Sequence, residues 1–301
     1  MINYIKKKLI PRNSALMIFG FARFPFKINR LLFGDEAYAH HQLAAYGKHI
    51  VRIREEKQAN FDEKEKLLFE LIEASGFTNI VELGSTLGIL LDKFDLYNPR
   101  KSAHLAYTGI EPLSLLANFS KYLHENRLFK VVENHRDVPD HVKEVGFGSM
   151  SHTYAFQSTE ELIEYIDSFR ISVDRIYFSL TNRHTNSLSF GNSSASAFDF
   201  EKFLENLLKK KKIFLLEHAL RHDPKGLDVQ EVTLICIDSD LTHLIEKMGK
   251  REDLVLLPER ISINRLNKYK SESIARGSSS INIIKNIIES LKLMAKINLT
   301  P

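Results

Sequence analysis

Cysteine occurs once in this 301-residue chain, at Cys236. That excludes an intramolecular disulfide and any cysteine-rich zinc site, and it makes a reducing, cytoplasmic compartment the expectation. Cys236 sits in an apolar, strand-like run, where a buried core thiol is expected. Long apolar runs are missing as well. The longest uncharged one near the N-terminus, Ala15 to Ala22, falls far short of the roughly 20 residues that span a bilayer. Arginine and proline interrupt the segment and it has no small-residue cleavage site, so it does not read as a signal peptide. No internal repeat is apparent.

Acidic residues are absent from positions 1–34, which carry seven Lys or Arg, and scarce in 260–301, with two acids against eight bases. The remaining 225 positions hold 27 basic and 36 acidic residues, a charge of −9, although the whole chain is +4. The middle of the chain is therefore acidic and the cations lie at its ends. An acidic middle argues against an enzyme whose cleft tracks nucleic-acid phosphates. The N-terminal cations alternate with Leu9, Ile10, Phe19, Phe24, Phe26 and Phe33. This pattern suits a peripheral, interfacial contact with an anionic inner membrane leaflet, and equally a basic arm packed on its own domain or on a partner. The expected localisation is cytoplasmic, with peripheral membrane contact through residues 1–34.

Hydrophobic periodicity divides the chain into a basic apolar segment (1–34), a helical cap (35–76), an α/β domain (77–265) and a C-terminal helical segment (266–301). In the cap, helices are expected from Asp35 to about Glu56 and from Asp62 to about Ala74, with Gly76 as a stop. Strands and helices then alternate: strands at 79–83 and 106–111, helices at 87–95 and 113–125, and an apolar run at 128–133. A loop-rich insert with Gly146 and Gly148 follows, then strands at 152–156, 173–179 and 213–218 and helices at 158–168 and 197–209. Further on, strands at 229–237 and 254–263 flank a helix at 240–248, and a last helix covers about 280–297. Such alternation implies an α/β fold with a doubly wound, mostly parallel, Rossmann-like sheet. The serine-rich stretch Asn186 to Ala197 follows a strand tip and reads as a lid over a cleft or as a solvated connector.

The strongest local signal is VELGSTLG at 81–88, followed by YTGIEP at 107–112. An apolar run ending in an acid, a glycine turn opening a helix and a second apolar run ending in an acid deliver two strand tips to one ligand. Gly84, Ser85 and Gly88 let backbone N–H groups approach it, and the following helix N-terminus favours an anionic group. Glu82, immediately before the turn, favours an ammonium. Glu111, at the second tip, suits a ribose diol. Ammonium, carboxylate and diol together describe S-adenosylmethionine (SAM), and the two stretches resemble the first and second motifs of the class I SAM-dependent methyltransferases. The resemblance covers roughly 79–219 and departs at Thr86, where a glycine is frequent, and in the connection carrying Asn98, Pro99 and Arg100. A dinucleotide-binding reading needs a third glycine where Leu91 stands, and gives no role to Glu82.

The resemblance implies an adenine contact from the third strand tip, for which Gln157 and Ser158, with Phe156 as an apolar wall, are preferred and Asn134 is the alternative. It also implies a substrate-facing segment after the fourth strand, taken as Ser179-Leu180-Thr181-Asn182-Arg183-His184. Ser179 is assigned to the cofactor and His184 to general-base catalysis, because imidazole titrates near working pH. His218, with Glu217, His222 and Asp223, forms a second polar group after the fifth strand, of the right type for base or metal ligation, and is the second catalytic candidate. Its spacing matches no recognised metal motif, so no metal is expected. His40 and His41 are polar groups that could cap the cleft or simply face solvent.

The Asn-Pro-Pro-aromatic motif of amino-methylating DNA enzymes is absent, and Cys236 is misplaced for attack on a pyrimidine. O-methylation is therefore favoured, with a sugar or lipid-linked glycan as acceptor. In this respect the chain resembles the sugar methyltransferases of bacterial surface-polysaccharide pathways. A non-catalytic methyltransferase-like scaffold and an RNA or protein methyltransferase are the alternatives, and the oligomeric state is left open.

Overall fold

A computed structural model describes residues 37–149, 156, 158–178, 200–216, 220–222 and 228–257. The expected elements at 152–156 (apart from 156 itself) and 280–297, and the serine-rich stretch, lie outside these residues. The contacts divide the chain into two compact units, 1–142 and 143–301.

The first unit opens with helix α1 (Ala37–Glu56) and helix α2 (Glu63–Ser75). α2 starts where the sequence supplies a capping box. The Asp62 carboxylate accepts from the Glu65 N–H and the Glu65 carboxylate accepts from the Asp62 N–H, which satisfies two donors the helix leaves free. It stops at Gly76, whose φ of 74° is the left-handed conformation that glycine adopts without a Cβ penalty. Leu67, Leu68, Leu71 and Ile72, spaced one and three residues apart, form its fully buried face.

Strand β1 (Asn79–Leu83), helix α3 (Ile89–Tyr97), the single turn α4 (Pro99–Ser102), β2 (Ala106–Ile110), helix α5 (Ser114–Leu123) and β3 (Phe129–Val132) follow in order. β1 pairs with β2 and β2 with β3, all parallel, with Glu82 opposite Gly109 and Tyr107 opposite Phe129. Parallel pairing brings the carboxyl ends of all three strands to one edge of this sheet. α1 lies on α3 and α5. Its Ala39, Leu43, Ile50 and Val51 join Leu87, Leu116, Phe119 and Leu123 in one buried cluster, with Leu113 and Tyr46 packed against it.

The second unit begins with β4 (Val145–Ser149), then helix α6 (Thr159–Asp167), β5 (Ile171–Phe178), helix α7 (Phe200–Leu208), β6 (Lys211–Leu216), β7 (Leu220–His222), β8 (Asp228–Asp238), helix α8 (Thr242–Gly249) and β9 (Leu254–Leu256). β4 runs parallel to β5, whereas β8 is antiparallel to β5, β6 and β7, and β6 is antiparallel to β9. Since β5 and β6 both oppose β8, they share a direction. The chain is thus α/β and Rossmann-like as anticipated, parallel through most of its helix-connected strands and carrying an antiparallel edge. Cys236 lies buried in β8, and burial pushes its thiol pKa up to about 12.

One expectation is corrected here. The glycine-containing insert at 145–149 is a strand, β4. A Cβ on Gly146 would come within 2.8 Å of the Phe169 ring, so glycine lets that ring pack on bare backbone rather than marking a turn. The strand count shifts by one as a result. Counted among the described residues, the segment containing Ser179 and His184 follows the fifth strand rather than the fourth, and His218 the sixth rather than the fifth. The third strand is β3, which ends just before Glu133 and Asn134 and not before Gln157.

Candidate functional site

The turn after β1 is built from three left-handed residues: Gly84 (φ 73°), Thr86 (φ 48°) and Gly88 (φ 73°). Glycine reaches this region freely, whereas threonine reaches it at a cost of about 1–2 kcal/mol. Thr86 therefore adopts a conformation that glycine would take without that cost. The turn is tied to β2, because the N–H groups of Gly84 and Ser85 both donate to the Ile110 carbonyl, at 3.0 and 3.2 Å. Gly88 N–H closes the turn onto the Ser85 carbonyl at 2.8 Å. Gly88 then begins α3 without any side-chain cap, which leaves first-turn N–H donors for another acceptor.

Glu111 follows β2 directly, and its side chain folds back on the same turn. One carboxylate oxygen accepts from Thr86 N–H at 3.1 Å and the other from Leu113 N–H at 2.9 Å. A carboxylate has about four lone-pair sites, so each oxygen keeps one for a further donor. Burial raises the Glu111 pKa, and the two backbone donors, Leu113 first, partly offset that rise.

Glu82 is buried as well. Register places Glu82, Gly109 and Tyr107 on one face of the sheet, where the Tyr107 hydroxyl donates to the Glu82 carboxylate. Burial raises its pKa well above the ordinary carboxylate value. The neighbouring Glu65 adds to the rise, while Lys64 and Lys93 oppose it. An ammonium arriving beside this group would favour its ionised form.

Ser85 completes the group. A Cβ on Gly109 would meet the Ser85 side chain, with 2.8 Å to Ser85 Cβ, so glycine in β2 makes room for that serine. Ser85 Oγ is buried, and no group among the described residues hydrogen-bonds it. A buried hydroxyl without a partner is costly, and here it lies in the turn that the sequence assigns to a ligand.

The structure therefore brings together five of the sequence-assigned residues: Glu82, Gly84, Ser85, Gly88 and Glu111. Ser158 is the N-cap of α6, its hydroxyl accepting from Glu161 N–H at 3.1 Å. Asn134 caps the short turn after β3 by accepting from Arg136 N–H at 3.0 Å. Gln157, Ser179, His184, Glu217, His218 and Asp223 lie outside the described residues, as do the side chains of His40, His41 and His222. Among the described residues no cluster of His, Cys, Asp and Glu could hold a metal ion.

Sequence reasoning missed the groups beneath the turn. His124, the residue after α5, donates from Nε2 to the Leu87 carbonyl at 3.0 Å, and its ring stacks on Phe129 at 4.4 Å. Phe129 in turn stacks on Tyr107 at 5.1 Å. Arg54 of α1 reaches His124 Nδ1 at 3.2 Å and forms a bidentate pair with Asp92, both bonds 2.9 Å. The alternation of Tyr107 and Gly109 along β2 could have placed those two beside Glu82. No local pattern announces Arg54, Asp92 or His124.

No protein-family model matches this sequence, and no curated protein matches it. Among solved structures, the chain is similar to the O-methyltransferase from Bacillus cereus in complex with SAH, at 13% identity and a TM-score of 0.37, covering 78% of this chain and 96% of that one. It is similar to the CMeT domain of the citrinin polyketide synthase, at 15% identity and a TM-score of 0.43 over 77% and 66% of the two chains. It is likewise similar to the N-terminal domain of EvdMO1 with SAH bound, at 12% identity and a TM-score of 0.39 over 59% and 82%.

Proposed function

We propose that this chain is a SAM-dependent methyltransferase. The observation that carries the reading is the Glu111 carboxylate, oriented by Thr86 and Leu113 N–H beside a turn of three left-handed residues. The remaining lone pairs of Glu111 suit two ribose hydroxyls. Glu82 suits the amino group of a methionine moiety, the orphan Ser85 hydroxyl suits a polar group of the same ligand, and the uncapped start of α3 suits its carboxylate. When bound, SAM supplies an electrophilic methyl group. The chain holds and orients it against an acceptor, and proximity of this kind accounts for much of the acceleration of a displacement.

The acceptor in this proposal is a hydroxyl of a sugar or lipid-linked glycan, methylated at the inner membrane face. The acidic middle of the chain and its basic, apolar first 34 residues support that choice over nucleic acid. Among the described residues no helix is long and apolar enough to cross a membrane. His184 is the proposed base for the acceptor hydroxyl, and His218 the second candidate.

Titration calorimetry with SAM and S-adenosylhomocysteine (SAH) tests the cofactor. Binding in the micromolar range that Glu111→Ala abolishes is expected, and no heat from the wild-type protein overturns the reading. Liposome flotation of the full chain and of a variant lacking residues 1–34 tests the membrane contact. Flotation by the full chain alone is expected, and equal behaviour of the two rejects it.

A further inference from the structure

The glycine turn is held from below by a chain of contacts that starts on the N-terminal helix. Arg54, on α1, donates from Nε and Nη2 to the two oxygens of Asp92 in the first turn of α3, and from Nη1 to the Leu123 carbonyl at 3.2 Å. Guanidinium is a donor only, so its nearer contact with His124, 3.2 Å to Nδ1 against 3.5 Å to Nε2, makes Nδ1 an acceptor. The Leu87 carbonyl is an acceptor only, so Nε2 must carry the proton. The two partners together select one neutral tautomer of His124 and aim its N–H at the middle of the turn. The fit is tight: a Cβ on Gly88 would lie 2.7 Å from His124 Nε2 and 3.0 Å from the Phe129 ring. Asp92 and His124 are almost entirely buried, so water competes little for these bonds.

We propose that His124 is a positioning residue which, oriented by Arg54, sets the Leu87–Gly88 conformation and through it the affinity for the cofactor. This rests on the SAM reading for its ligand but not for its structural part. His124 packs on Gly88 but hydrogen-bonds none of Glu82, Ser85 and Glu111. It acts through the Leu87 carbonyl, and α1 thereby belongs to the cofactor site. Protonation of His124 would place an N–H at Nδ1 against the Arg54 donors. The charged groups facing the ring are Asp92, Arg54 and Arg127, and burial holds its pKa below the ordinary imidazole range.

Two variants separate the contributions in the full chain. His124→Phe keeps a ring on Phe129 and removes the N–H, whereas His124→Gln keeps an N–H donor and cannot titrate. For His124→Phe the expected results are amide exchange of residues 84–91 about tenfold faster with 79–83 unchanged, and SAH binding about tenfold weaker. His124→Gln is expected to restore most of both and to lose the His124 part of the fall in SAH affinity on acidification, leaving only those of Glu82 and Glu111. Arg54→Lys, which keeps the charge and loses the fork, repeats the measurement should His124→Phe fail to fold. Unchanged exchange and unchanged SAH affinity in a folded His124→Phe protein overturn the proposal. If wild-type protein binds no SAH, the cofactor reading falls, and the exchange result alone decides whether His124 sets the turn.

Discussion

The backbone N–H of Thr86 donates to the side chain of Glu111 across 3.1 Å, joining the turn after β1 to the tip of β2. Because Leu113 N–H holds the other oxygen, the carboxylate plane is set before any ligand arrives, and little side-chain entropy remains to be lost on binding.

Replacing Glu111 tests this preorganisation. In Glu111→Gln the new amide must set an N–H against either Thr86 or Leu113, so one backbone bond is lost along with the charge. SAM affinity is expected to fall at least tenfold, in line with about 1.5–3 kcal/mol for a hydrogen bond to a charged group. Calorimetry reads the affinity, and a thermal melt confirms that the variant is folded.

Thr86→Gly should relieve the left-handed strain at φ 48°. About 1–2 kcal/mol of relief is set against about 0.5–1 kcal/mol of added backbone entropy in the unfolded chain. Stability should therefore rise slightly or stay level, as read by urea titration, and SAM affinity should not fall.

Gly88→Ala should do the opposite. It combines φ 73° with a Cβ 2.7 Å from His124 Nε2, so about 2–4 kcal/mol of destabilisation is expected from strain and overpacking together. SAM binding should be lost even at temperatures where the variant remains folded, which circular dichroism and calorimetry on one sample would show.

Glu82 makes folding pH-dependent. Its folded pKa is raised by burial, so its contribution to stability is complete below the unfolded carboxylate value and is lost as pH rises through the folded one. Glu82→Gln keeps an acceptor for Tyr107 and cannot ionise. Its melting temperature should exceed that of wild type at pH 8, with the difference shrinking as pH falls toward 4.5. A constant difference across that range would mean that the Glu82 carboxyl has the same pKa in the folded and the unfolded chain, and would overturn the raised value.

Much of the first unit was legible because its signals are local. Asp62 with Glu65, Gly76 and the VELGSTLG turn each act within a few residues, and the strands at 79–83 and 106–110 follow from short, mostly apolar runs. β4 was not legible, because Gly146 and Gly148 resemble a turn until Phe169, more than 20 residues away, is seen against the bare backbone. Missing that strand displaced every later strand by one, and with it the reasoning that chose Gln157 and Ser158 over Asn134 and set Ser179 and His184 after the fourth strand.

The amino-acid sequence by itself determined the α/β alternation, the charge separation between middle and ends, and the pairing of Glu82 and Glu111 around a glycine turn. These depend on periodicity, composition and short spacings. Only the tertiary structure decided that Glu82 is a buried partner of Tyr107, that Glu111 is preset by Thr86 and Leu113, and that Arg54, Asp92 and His124 meet beneath Gly88. Arg54 and His124 are 70 positions apart in the chain. Their meeting depends on how α1 packs over α3 and α5, a relationship that no local pattern encodes.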